Sequence, residues 1–223
     1  MGKLIVFEGI DGSGKSTQFE LLCARLNSEN RGFMRVTFPR YDEPSSALIK
    51  MYLEGGFGDD PDSVNAYAAA SFFAVDRYAS YKQAWGSYYE NGGIVVTDRY
   101  TTSNAIHQGA KLPQEQRESY FKWLYDFEFS LMELPAPDLV LYISIDHEHA
   151  AQRLALRQAE TGTRGDIHEK DSSYLSKCAM SGRHAASFYG WRVIECFSGD
   201  IPRGIEEIHD EIYSLITNQT GLF

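Results

Sequence analysis

The sequence predicts an α/β fold, a largely parallel five-stranded sheet flanked by helices, and three observations carry that reading. Five short apolar runs alternate with amphipathic stretches. The runs are nearly continuous in hydrophobicity, as in Leu-Val-Leu-Tyr-Ile-Ser-Ile at 139–145, which suits strands covered by helices on both faces. The first run leads directly into a glycine-rich loop that opens a helix, the local order of a phosphate-binding strand–loop–helix unit.

Along the chain, Leu4–Phe7 reads as the first strand, and the helix after the glycine-rich loop continues through Leu21, Leu22 and Leu26. Met34–Phe38 is the second strand. The break at Gly55–Asp60 is a turn between two helices. Ile94–Thr97 is the third strand and delivers Asp98-Arg99-Tyr100 at its carboxyl end, where open α/β sheets bind ligands. The fourth strand, Leu139–Ile145, runs into Asp146, an N-cap for a helix from His147. The polar stretch Glu160–Asp166 follows Arg153 and Arg157 on that helix and reads as a short lid, spanning about 153–169. Trp191–Phe197 is the last strand. A final helix is expected from Pro202, with Ile205, Ile208, Ile212 and Leu215 as its apolar stripe.

At 223 residues the chain is expected to be one domain over 1–223. Its 43% hydrophobic and 13% aromatic content supplies a core. With 31 acidic against 21 basic residues the net charge is −10, which argues against a surface that neutralises a nucleic-acid backbone. Cys23, Cys178 and Cys196 are odd in number and widely spaced. They suit buried thiols in a reducing compartment better than a disulfide framework or a zinc site. No stretch approaches 18 apolar residues and nothing resembles a targeting segment, so the expectation is a cytoplasmic protein without a membrane partner.

The chemistry is concentrated in Gly9-Ile10-Asp11-Gly12-Ser13-Gly14-Lys15-Ser16, which matches G-x-x-x-x-G-K-[ST] and runs on into Thr17. Glycines let successive N–H groups turn onto phosphate oxygens, Lys15 brings a cation to the β/γ region, and Ser16 offers a hydroxyl to Mg²⁺. The helix N-terminus adds partial positive charge. A random chain of this length contains the pattern with a probability of about 1%, and strand–helix context lowers that further. A nucleoside triphosphate with Mg²⁺ is therefore expected. A guanine-reading N-K-x-D is missing from the sequence, which argues against a GTPase-type switch. A small-molecule kinase instead needs a carboxylate near the metal, cations facing the acceptor phosphate, and an arginine-bearing cover. Asp98 is the candidate Walker B type carboxylate, Arg99 the acceptor-phosphate cation, and the 153–169 segment the cover. Phe73 and Arg77 are i and i+4 on one helix, so a ring and a fork of donors share a face.

In these stretches the chain resembles the thymidylate kinase family: Phe7–Thr17, Thr37–Tyr41, Phe72–Arg77, Asp98–Lys111, Leu134–Ile143, and Arg153–Arg157 with Gly162–Asp171. They occur in family order and cover nearly the whole chain. The resemblance implies a P-loop kinase that phosphorylates dTMP to dTDP with MgATP, acting as a homodimer. It implies that Phe73 stacks on thymine and Arg77 contacts its O4 edge. Ser103, Asn104 and Gln108 then lie beside the base, and Phe38 and Pro39 shape the pocket wall. Asp11, Arg40 and Arg99 are placed around the 5′-phosphate and sugar. Arg153, Arg157 and Arg164 match the arginine-bearing lid, with Asp166 and Glu169 as its acidic partners. Some members carry a catalytic arginine in the phosphate loop; Gly12-Ser13 stands there here, so the lid must supply that cation.

Two positions depart from the family pattern. His107 stands where members usually place Tyr or Phe against the sugar, and His168 where several have Tyr. Either the imidazoles fill the same space, or sugar discrimination is relaxed. The alternative functions are another pyrimidine nucleotide or deoxynucleoside kinase on the same scaffold and, in a different class, a nucleotide-dependent switch that transfers nothing.

Overall fold

A computed structural model describes residues 1–161 and 172–219. Five parallel strands form one sheet: β1 (Lys3–Glu8), β2 (Met34–Thr37), β3 (Ile94–Asp98), β4 (Leu139–Ser144) and β5 (Arg192–Glu195), in the spatial order β2-β3-β1-β4-β5. β1 is central, and its interior residues from Leu4 to Phe7 are fully buried, as two-faced helical cover requires. The strands lie within a residue or two of the expected runs. The last run is cut at Cys196, because Phe197–Ser198 (β6) turns back to pair antiparallel with Ile201–Pro202 (β7).

The helices are α1 (Lys15–Ser28), α2 (Ala47–Leu53), α3 (Ala66–Ser80), α4 (Gly86–Glu90), α5 (Thr101–His107), α6 (Gln114–Tyr125), α7 (His147–Thr161), α8 (Ser172–Tyr189) and α9 (Ile205–Gln219). α1 buries Phe19, Leu22, Cys23 and Leu26, the i, i+3, i+4, i+7 stripe of an amphipathic helix. Its core also takes Ile208, Ile212 and Ile216 from α9. That helix begins at Ile205 rather than at Pro202, which is held in the β6–β7 pairing, and Ile205 is exposed in its first turn. Asp146 caps α7 as expected, its Oδ1 accepting from the His149 N–H at 3.0 Å. α7 extends through Thr161, so Glu160 and Thr161 are helical and not part of an irregular segment. The remainder of that stretch, with Arg164, Asp166, His168 and Glu169, lies outside the described residues.

Residues 81–85 and 126–131 widen into π-helical turns, which sequence periodicity does not reveal. The second places Glu128 inside the molecule, facing α3 and α5. All three cysteines are buried free thiols. No helix among the described residues is long and apolar enough to cross a membrane.

Candidate active site

Strand register assembles the site. β1 pairs with β3 so that Phe7 lies opposite Asp98, one residue before the carboxyl end of β1 and two before Gly9 opens the loop. β2 pairs with β3 so that Thr37 also lies opposite Asp98, which sets the cis Phe38–Pro39 peptide beside the Arg99 turn. The phosphate loop, Asp98-Arg99 and Phe38-Pro39 therefore converge at the carboxyl ends of three neighbouring strands.

In the loop, Gly12 and Gly14 have φ of 81° and 89°, the left-handed region that side-chain-bearing residues avoid. A Cβ on Gly12 would lie 2.4 Å from the Ala150 carbonyl oxygen, so α7 leaves no room for one. Lys15 is buried and its ammonium pairs with the Asp98 carboxylate, whose other oxygen accepts from Ser16 Oγ at 3.1 Å. Burial, and then the nearby Arg99 charge, pushes the Lys15 pKa down while Asp98 opposes both. Arg153 donates to the Ser13 carbonyl at 3.2 Å and so reaches the loop from α7. A cavity of about 480 Å³ opens here, lined by the loop from Ile10 through Thr17 together with Arg153, Leu154, Arg203 and Ile205. Gly9 is not in the lining. Its role is close packing, since a Cβ there would meet Ser13 Oγ at 2.6 Å.

The hard oxygens of Ser16 and Asp98 are the donor set that Mg²⁺ takes, and it ordinarily needs only one or two protein ligands beside phosphates and water. The residues present fit that ion.

A second cavity, of about 180 Å³, lies on the other side of Asp11, which lines both. Its wall brings together Phe38, Pro39, Phe73, Arg77, Arg99, Ser103, Asn104, His107 and Gln108, nearly the whole set the sequence pointed to. Arg40 is the exception: it is absent from the lining and its guanidinium pairs with Glu43 at 2.8 Å. Arg99 has φ of 68°, left-handed for a residue with a side chain. The turn is pinned by the Arg99 N–H donating to the Phe7 carbonyl at 3.0 Å and by Thr97 Oγ1 donating to the Arg99 carbonyl at 2.8 Å. So held, the Arg99 guanidinium projects onto the Asp11 carboxylate, at the junction of the two cavities.

The far side of this cavity is organised by two buried carboxylates, Glu8, inside the Phe7–Thr17 stretch, and Glu128, outside every stretch singled out in the sequence. Glu128 accepts from Arg77 Nε at 2.6 Å, from Thr101 Oγ1 at 2.7 Å and from Asn104 Nδ2 at 3.3 Å. Asn104 Nδ2 also donates to the Ala70 carbonyl at 3.1 Å, so its Oδ1 is the acceptor it offers the cavity. Glu8 accepts from the Tyr100 N–H, Thr102 Oγ1 and Ser103 Oγ at 3.2, 2.6 and 2.8 Å; burial pushes its pKa up, against Arg99 and these hydrogen bonds. Tyr41, Leu53 and Tyr100 also line the cavity, and sequence reasoning missed them. Tyr41 and Tyr100 each directly follow an arginine that had been singled out, which was the available signal; Leu53 had none.

Two ligand-sized spaces sharing one wall, one of them built by a phosphate loop, define a P-loop phosphotransferase whose donor and acceptor sit side by side. More narrowly, the chain belongs to the thymidylate kinase family: the family model described as thymidylate kinase matches residues 7–212. A thymidylate kinase of Mycobacterium tuberculosis is 32% identical over 192 residues, covering 85% of this chain and 88% of that protein. A probable thymidylate kinase of Methanococcus maripaludis is 27% identical, covering 98% and 97%. Among solved structures, a thymidylate kinase from Candida albicans superposes with a TM-score of 0.73 over 100% of this chain and 94% of its own, at 21% identity, a likeness of fold.

Proposed function

We propose that this chain phosphorylates dTMP to dTDP, with ATP held by the phosphate loop and dTMP in the cavity across Asp11. The observation that carries this reading is Asp11 as common wall, with Lys15 and Asp98 on the donor side and Arg99 facing the acceptor side. An oxygen of the dTMP 5′-phosphate attacks the γ-phosphorus in line. As that P–O bond forms, the bond to the β-bridging oxygen breaks and ADP departs with the electron pair, so no covalent enzyme intermediate forms. Lys15 neutralises the equatorial oxygens of the transferring group, and Arg99 binds the attacking phosphate. Ser16 and Asp98 would hold Mg²⁺, which when bound supplies charge neutralisation across the β- and γ-phosphates. Asp11, Gly12, Ser13, Gly14 and Thr17 complete the donor cradle.

At the base, thymine presents an O4 acceptor and an N3–H donor. Arg77, aimed by Glu128, supplies the donor to O4, and Asn104 Oδ1 accepts from N3–H. Phe73, braced edge-on by Tyr52 at 6.4 Å, is the stacking face. Cytosine reverses both groups and would set donor against donor at Arg77 and acceptor against acceptor at Asn104. An ATP-coupled assay across monophosphates tests the reading: dTMP and dUMP should turn over and dCMP should not. Equal rates with dCMP, or no rate with any of them, would contradict it.

The arginine-bearing segment remains part of the proposal. Arg153 already touches the loop and is assigned the cation beside the γ-phosphate, with Arg157 one turn further along α7. Arg153→Ala should lower kcat by about 10³-fold or more with little change in melting temperature, the scale of an arginine finger. A kcat within tenfold of wild type would remove Arg153 from the mechanism. We further assign the protein to the cytoplasm as a homodimer. The aromatic stretch Tyr67–Tyr89 divides in two: Tyr81, Trp85 and Tyr89 pack inside, while Tyr67, Val75 and Tyr78 on α3 are exposed, as are Leu48 and Met51 on α2. That exposed set is the surface such an interface needs.

A further inference from the structure

Arg99 is gripped from two sides. Asp11 holds one terminal nitrogen of its guanidinium, and the other, Nη1, lies 2.9 Å from His107 Nε2. An arginine N–H can only donate, so Nε2 must carry its lone pair and the ring proton must sit on Nδ1. Nδ1 in turn faces the Cys178 sulfur at 3.6 Å, a distance at which that sulfur accepts a weak hydrogen bond. His107 is also fixed through its backbone, because Tyr174 Oη donates to the His107 carbonyl at 2.6 Å. Cys178 and Tyr174 both lie on α8, one turn apart, so one helix face holds ring and backbone together.

We propose that His107 is a positioning residue for Arg99: its Nε2 accepts from the guanidinium and, with Asp11, fixes the direction in which Arg99 meets the acceptor phosphate. Among the described residues, Arg99 and Cys178 face the imidazole, and Asp11 and Lys15 are charges that act on it. Burial first, and then Arg99 and Lys15, pushes the His107 pKa down to about 3, against Asp11. The ring is therefore a neutral acceptor near neutral pH. Arg99 keeps three other N–H donors besides those spent on Asp11 and His107, enough for a phosphate. The inference rests on the reading of Arg99 as the acceptor-phosphate arginine, and the experiment separates the two.

His107→Leu, His107→Gln and Arg99→Ala are compared with wild type for KM toward dTMP and toward ATP. Leu removes the acceptor and should raise KM for dTMP at least tenfold, the scale of one hydrogen bond to a charged group, with KM for ATP within twofold. Gln presents an amide oxygen near the Nε2 position and should return KM for dTMP to within about threefold of wild type. Leu behaving as wild type, or Gln failing along with Leu, overturns the proposal. Arg99→Ala leaving KM for dTMP and kcat unchanged would instead overturn the reading beneath it. The wild-type ring is read directly by ¹⁵N NMR, its signals assigned by their loss in His107→Gln. An Nδ1-protonated tautomer unchanged from pH 5 to 8 is expected, and an Nε2-protonated or titrating ring overturns the proposal whatever the kinetics.

Discussion

Lys15→Met is expected to lower kcat by at least about 10²–10³-fold, the cost of removing one preorganised charge at a transition state. Lys15 is 6% exposed and projects into the phosphate loop's own cavity, where its ammonium pairs with the Asp98 carboxylate. Buried to this degree, its charge would act on the γ-phosphoryl with less screening than in bulk water. The residue takes no part in lining the acceptor cavity, so dTMP should bind the variant with nearly unchanged affinity. Steady-state kinetics with a separate dTMP titration checks this. A loss of kcat below tenfold, or a loss of dTMP binding as large as the loss of turnover, contradicts the division into donor and acceptor sides.

Glu128→Ala should be the most destabilising change in the site. Glu128 is fully buried and Arg77 is 2% exposed; truncating the carboxylate leaves the guanidinium as a charge without its counterion, worth about 3–5 kcal/mol. In a domain of this size each kcal/mol moves the melting temperature by about 2–4 °C, so a fall of about 6–20 °C is expected. Converting both partners, Arg77→Met with Glu128→Leu, should recover much of that stability, because no charge is then stranded. The double variant should still fail on dTMP, since the donor to O4 is gone. Thermal melts and KM for dTMP on the single and double variants check both halves. A double variant that is stable and also binds dTMP normally would confine the pair to a structural role.

The difference between these two residues shows what the sequence made legible. Lys15 belongs to a motif whose spacing encodes its geometry, because a strand, a turn and a helix N-terminus leave little freedom in where it points. Strand ends were similarly readable, and register then brought Asp98 to the loop without further information. Phe73 and Arg77 followed from helical spacing together with the family resemblance. The role of Glu128 was not readable, and that of Glu8 was not either, although Glu8 lies inside the Phe7–Thr17 stretch. Each acts across 24 or more residues of sequence, Glu8 on Thr102 and Glu128 on Arg77 and Asn104. Glu128 moreover reaches its partners through a π-helical turn, which breaks the 3.6-residue period used to assign faces. Arg40 went the other way: the family resemblance placed it around the 5′-phosphate, while in the fold its guanidinium pairs with Glu43. Pro202 was misread because it serves equally well at the start of a helix and at the end of a short strand pair.

Direct transfer between two ligands held on either side of Asp11 is the central step of the proposed mechanism. The stereochemical course at phosphorus tests it, using ATP made chiral at the γ-phosphorus with oxygen isotopes and a sulfur, and dTMP as acceptor. A single in-line displacement predicts inversion of configuration in the dTDP product. Retention would mean two displacements and a phosphorylated enzyme group between them, and the arrangement proposed for Lys15, Asp11 and Arg99 would be wrong.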